Sequence, residues 1–186
     1  MTATATAPAY TPLVKVVTVK AVPDRAFRRF TSEMAAWWPL ASHSVGGADS
    51  ASVEMESRAG GRIVERIRGG RECVWGTITA WDPPRRVAFT WHPGDEPARA
   101  QDVEVQFTAE GTATRVRLTH SGFERLGKDA RMARRGYPLG WSYVLGLYAE
   151  RRGPFMVAVT WVTAAFMSIQ AWKERRKARN ESAKAA

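Results

Sequence analysis

The chain has 186 residues, 45% of them apolar and 25% charged, with one cysteine, three histidines and a formal net charge of +10. That length and balance suit one globular domain with a proper core, and the lone Cys73 excludes a disulfide-stapled scaffold and fits a reducing, cytoplasmic setting. His43, His92 and His120 are too scattered for metal-ligand spacing, so neither a metal nor another cofactor is expected.

Residues 1–12 are rich in Thr, Ala and Pro, with no basic start and no apolar run, and read as a disordered tail, not a signal peptide. The Val-rich stretch 13–21 predicts a strand. Pro23-Asp24 then opens a helix whose apolar face carries Phe27 and Phe30. Thr31-Ser32-Glu33 offers a cap for a second short helix over 34–37, and Trp38-Pro39 stops it. The loop to Ser50, containing Gly46-Gly47, is expected to be mobile.

Six strands follow, punctuated by turn residues. Residues 52–57 lead to Gly60-Gly61, and 62–68 place Ile63, Glu65 and Ile67 on one face. Gly69-Gly70 marks a hairpin. Strict alternation over 72–81 puts Trp75, Thr77, Thr79 and Trp81 together, with Val74, Ile78 and Ala80 opposite, until Pro83-Pro84 ends the strand. Val87, Phe89 and Trp91 share a face, as do Val103, Val105 and Phe107, and then Val116, Leu118 and His120.

After a basic connector over 125–135 the period changes. Tyr137, Trp141, Val144, Leu145 and Tyr148 form the stripe of a long helix over 137–150, and the sheet is the only large apolar surface available to it. The predicted class is therefore α+β, in the order β-α-α-β6-α, with a curved seven-stranded antiparallel sheet wrapped around the long helix. This domain is expected over 13–152.

Residues 153–172 carry no charge and open on Gly153-Pro154. As a helix they would measure about 30 Å, but Thr160, Thr163, Ser168 and Gln170 dilute their apolarity. An extra C-terminal helix is expected here, its face of Phe155, Val159, Val162, Phe166 and Ile169 docking on the domain or on a second copy in a homodimer. The alternative is contact with, or anchoring in, a membrane surface through 154–172. Residues 173–186 hold six basic and two acidic residues and read as a basic disordered tail. A general attraction to anions follows, but no nucleic-acid-binding motif is present, so nucleic acid is not the expected partner.

The words Trp37-Trp38-Pro39, Gly60-Gly61-Arg62 with Glu65, Trp75-Gly76-Thr77, Trp81-Asp82-Pro83-Pro84, Leu118-Thr119-His120-Ser121-Gly122 and Gly140-Trp141 resemble the SRPBCC, or START-like, superfamily. Within it they are most similar to the branch named after the activator of the heat-shock-protein-90 ATPase. The resemblance covers about residues 13–150 and implies the helix-grip fold, with a hydrophobic cavity between sheet and long helix that holds small apolar or amphipathic molecules. It does not fix the activity, because the superfamily spans carriers, receptors, cyclases and co-chaperone modules.

The expected ligand-binding set is Trp37, Trp38, Glu65, Trp75, Trp91, His120 and Trp141, with no catalytic residue assigned. Trp75, Trp91 and Trp141 would wall the cavity, and Trp37-Trp38 would form a lid or pack on the first helix pair. Glu65 and His120 would orient a polar group of the ligand, or be paired within the structure. A buried Glu65 with a raised pKa would suit the rival function, a cyclase- or hydrolase-like enzyme using Glu65 or His120 as acid/base. A further rival is a co-chaperone-like protein-binding module. The leading expectation is non-enzymatic binding of a small hydrophobic or amphipathic ligand.

Overall fold

The computed structural model describes residues 10–150, so all but the last three residues of the tail expected at 1–12, the extra helix expected at 153–172 and the tail expected at 173–186 fall outside the described residues. Strand β1 (Leu13–Val19) leads to helix α1 (Pro23–Phe30), and strands β2 (Ser50–Met55), β3 (Arg62–Ile67), β4 (Arg71–Asp82), β5 (Arg86–Trp91), β6 (Gln101–Glu110) and β7 (Ala113–Ser121) follow. Helix α2 (Ala130–Tyr148) closes the domain. The strands form one antiparallel sheet in the order β1-β7-β6-β5-β4-β3-β2. Every connection from β2 to β7 joins neighbours, and β1 returns to pair with β7. This is the helix-grip architecture the residue pattern predicts.

The alternating sets on β5, β6 and β7 bury as expected: Val87, Phe89, Trp91, Val103, Val105, Phe107, Val116, Leu118 and His120 are all buried. Helix α1 begins on Pro23, whose missing N–H would be unpaired in the first turn anyway. It buries Phe27 and Phe30, and both stack edge-on against Phe107 of β6. The far end of α2 docks on α1, where the Tyr148 hydroxyl donates to the Ala26 carbonyl at 2.7 Å.

Three elements depart from the sequence reading. The second short helix is a single 3-10 turn (Met34–Ala36), because Trp37 and Trp38 turn inward instead of continuing a helical face. Helix α2 starts seven residues before the predicted position and takes in Gly136, whose residue type reads as loop, ahead of Pro138 in the predicted range.

Strand β4 is the third departure. Its register slips opposite Ile63/Val64, where Trp75 is the extra residue, and again between Ile78 and Ala80. Each bulge shifts the pleat by one residue. Trp75 and Ile78 are therefore buried, and Trp81 packs on Phe27, while Thr77 and Thr79 are exposed. The expected partition of this strand, with Trp75, Thr77, Thr79 and Trp81 on one face, is thus wrong. At the first bulge β4 and β5 touch so closely that a Cβ on Gly76 would lie 1.7 Å from the Thr90 carbonyl oxygen. Only glycine fits there.

Candidate functional site

The interior between sheet and α2 is occupied by indole rings. Trp38 stacks on Trp75, Trp91 and Trp141 with centroids 5.3, 5.7 and 6.2 Å apart, and Trp91 lies 5.6 Å from both Trp75 and Trp141. Four of the seven expected site residues thus form one cluster. In this structure they fill the position where a cavity was expected. Trp37 lies at the other end of α2, against Phe30 and Tyr148, with its indole N–H donating to the Arg29 carbonyl at 2.6 Å. Of the two arrangements expected for Trp37-Trp38, the packed one is found for Trp37.

Glu65 is fully buried on β3. Its carboxylate accepts from the Val45 amide (2.9 Å), the Gly46 amide (2.8 Å), the Trp75 indole (2.8 Å) and the Ser50 hydroxyl. Burial opposes its charge, but the bonds from Ser50, Gly46, Val45 and Trp75 outweigh burial and hold its pKa below the ordinary carboxyl value. The expectation of a raised pKa is therefore corrected. A short polar segment supplies three of the four donors, and a Cβ on Gly46 would come within 2.9 Å of Glu65 Oε1.

The loop over residues 39–49, expected to be mobile, is tied down by that carboxylate. It is held further by the Trp38 indole donating to the His43 carbonyl at 2.7 Å and by the His43 ring against Tyr143. The loop sequence offers one signal for this, Gly46, whose missing side chain lets the carboxylate approach its backbone amide, while the Gly47 amide donates instead to Ser44 Oγ.

His120 is fully buried on β7 beneath Phe123 and Tyr137, with ring centroids 4.4 and 4.5 Å away. Its Nδ1 accepts from the Trp141 indole N–H at 3.0 Å, which places the proton of the neutral ring on Nε2. Burial, with the positive Arg134 adding, drops the imidazole pKa to about 3. The ring is therefore neutral at physiological pH. Among the described residues Nε2 has no hydrogen-bond partner, and the buried Trp91 Nε1 has none of normal geometry. A buried N–H left unpaired costs about 1–3 kcal/mol. Two unpaired N–H groups in one aromatic cluster are a feature that packing alone does not explain.

Tyr137 and Gln101 belong to the same neighbourhood and were missed by sequence reasoning. Burial pushes the Tyr137 phenol up to about 12, against an opposing pull from the Trp91 indole N–H beside it. The phenol donates to Gln101 Oε1 over a long 3.4 Å, and Gln101 Nε2 donates to the Arg99 carbonyl at 2.6 Å. Outside this pair lies a cavity of about 260 Å³ bordered by His92, Asp95, Arg99, Gln101, Asp129 and Tyr137. A second cavity of about 770 Å³ opens at the far end of α2, beside Lys20, Arg25, Arg29 and Tyr148. Among the described residues no group of three His, Cys, Asp or Glu side chains converges as a metal site.

Known proteins place this architecture. The chain is 34% identical to the anthrahydroquino-γ-pyrone synthase Txn09, over 76% of this chain and 97% of that one, with a TM-score of 0.55. It shares its fold with the Aha1 dimer from Colwellia psychrerythraea, at 16% identity, 77% and 100% coverage and a TM-score of 0.53. The same holds for CalU16 from Micromonospora echinospora, at 18% identity, 85% and 86% coverage and a TM-score of 0.53. No curated protein matches. Residues 20–146 match the family described as activator of Hsp90 ATPase homolog 1-like protein, and the chain belongs to that family.

Proposed function

We propose that the protein binds a small, largely hydrophobic molecule at the indole cluster between sheet and α2, and that this molecule carries an oxygen acceptor. The observation that carries this reading is a pair of buried donors inside an aromatic shell: among the described residues His120 Nε2–H has no partner, and Trp91 Nε1–H has only the Tyr137 phenol beside it, outside normal hydrogen-bond geometry. A carbonyl or phenolic oxygen would satisfy one or both, and flat rings would replace indole–indole contacts with ligand–indole contacts of similar strength. Trp38, Trp75 and Trp141 then serve as apolar walls. Glu65 acts at one remove, by holding Trp75 and the 39–49 loop in place.

The test is native mass spectrometry of the full-length protein, comparing the parent with Trp91→Phe, which removes the N–H and keeps an aromatic ring. The expected result is a small-molecule adduct on the parent, and about tenfold weaker retention in the variant, as for one lost hydrogen bond. Equal retention by both proteins overturns the placement of the site.

A second reading is favoured by the 34% identity to a γ-pyrone synthase: turnover of a planar polyketide. In that case His120, neutral and protonated at Nε2, would donate to a developing oxyanion, and Glu65 would not be the acid or base. Incubation with an anthrahydroquinone precursor distinguishes the roles. Product formation lost in His120→Phe but kept in a folded Glu65→Gln supports this assignment, and the reverse pattern overturns it.

A further inference from the structure

The 260 Å³ cavity and the buried donors are separated by one side chain, Tyr137. One side of its ring faces the cavity with Gln101 and Arg99, and the other packs edge-on to His120 with centroids 4.5 Å apart. Among the described residues its hydroxyl makes one long contact, 3.4 Å to Gln101 Oε1, and lies beside the Trp91 indole N–H without a hydrogen bond of normal geometry. The wall between the two spaces is thus weakly bonded.

The backbone beneath Tyr137 is also the weakest part of α2. The local sequence is Gly136-Tyr137-Pro138-Leu139-Gly140, inside a helix that otherwise runs unbroken to Tyr148. Pro138 has no N–H to donate to the Arg134 carbonyl, which removes one rung of the helix ladder. Among the described residues neither glycine is required by packing, because a Cβ on Gly136 or Gly140 would meet none of them within 4 Å. Three helix-weakening residues therefore surround one aromatic partition, with no steric reason for two of them.

On this basis, and resting on the ligand site described above, we infer that the cavity is the entrance and outer half of that site. Tyr137 is its movable partition, and the occupant is a neutral planar aromatic bearing oxygens on opposite edges. The inner edge meets the Trp91 and His120 donors. The outer edge remains with Gln101, Arg99 and the two carboxylates of Asp95 and Asp129. Those carboxylates already hold the Arg99 guanidinium at 3.4 and 2.7 Å, so the one arginine that lines the cavity is neutralised and two acidic groups face an anionic ligand there. At 260 Å³ the cavity is just below the usual size of a complete small-molecule site, as an outer half would be.

The test uses the full chain and 1,8-dihydroxyanthraquinone, with stopped-flow quenching of tryptophan fluorescence as readout. Tyr137→Ala is expected to speed association about tenfold. The double variant Gly136→Ala/Gly140→Ala, which stiffens the helix and should fold at least as well as the parent, is expected to slow association and dissociation together by about tenfold. Anthraquinone-2,6-disulfonate is expected to bind at least tenfold more weakly than the neutral probe. Parent-like rates in both variants overturn the partition, and preferred binding of the disulfonate overturns the neutral ligand class. Failure of the parent to bind either anthraquinone overturns the ligand site itself, a result distinct from the other two.

Discussion

Two buried titratable side chains respond to acid in opposite chemical senses, and both make the protein acid-sensitive. Glu65 is stabilised as a carboxylate, its folded pKa lying below the unfolded value. Its contribution is complete above about pH 4.5 and is lost as pH falls through the folded pKa. Glu65→Gln sets an amide N–H₂ against donors that the carboxylate accepted. Loss of charge-assisted bonds of this kind predicts destabilisation of about 3 kcal/mol in urea unfolding at pH 7, together with faster amide exchange at Val45 and Gly46. His120 is instead held neutral, with a folded pKa of about 3 against an ordinary 6.5. Between those values the unfolded chain takes up a proton that the folded chain refuses, so stability falls as pH drops below about 6.5. His120→Gln should flatten the slope between pH 6.5 and 4.5, worth about 2 kcal/mol over that window. A residual slope from His43, also lowered by burial, will remain. An unchanged pH profile would place the proton uptake elsewhere. The inward direction of both side chains was legible from strand alternation. Their partners were not, because the amides on Glu65 come from a loop about twenty residues away and the indole on His120 from a different element.

At the level of elements, legibility tracked regularity. Strands β5 to β7 keep an unbroken pleat, so period two assigned their faces correctly. Strand β4 does not, since its two bulges turn Trp75, Ile78 and Trp81 toward the core at intervals of three. Nothing in a period-two pattern marks such a slip, although Gly76 beside Trp75 hints at a close backbone approach. The start of α2 was hidden for the opposite reason. Gly136 and Pro138 disfavour a helix locally, and it forms because Trp141, Val144 and Leu145 bury in the core and Tyr148 docks on α1. Helical glycine is about 1 kcal/mol less favourable than alanine. Gly136→Ala, at an exposed position with free space around its Cα, should therefore stabilise the fold by about that amount in chemical denaturation. A destabilised Gly136→Ala would mean that α2 needs the glycine conformation, and would remove the basis for treating residues 136–140 as weakened for movement.

The charge of the whole molecule is divided unevenly along the chain. Of the ten net positive charges, six arise after Glu150, from eight basic and two acidic residues, while residues 10–150 carry the other four. Among the described residues most surface arginines are already paired with a carboxylate, as in Arg86–Glu104 and Arg125–Asp102. No described helix is long and apolar enough to cross a membrane. Attraction to anionic surfaces should therefore reside in the stretch after Glu150, where uncharged 153–172 meets basic 173–186. A basic residue near an anionic bilayer contributes about 1 kcal/mol, and the attraction decays within a Debye length of roughly 8 Å at physiological salt. The full chain is expected to sediment with phosphatidylserine vesicles at low salt, and a chain ending at Glu150 to stay in the supernatant. Release of the full chain by 0.5 M salt would assign the contact to the basic tail alone, because screening removes a purely electrostatic contact. Salt-resistant sedimentation would assign it to the uncharged segment 153–172, because burial of its apolar residues does not depend on screening. Equal sedimentation of both chains would place the attraction on the domain, against the distribution of charge.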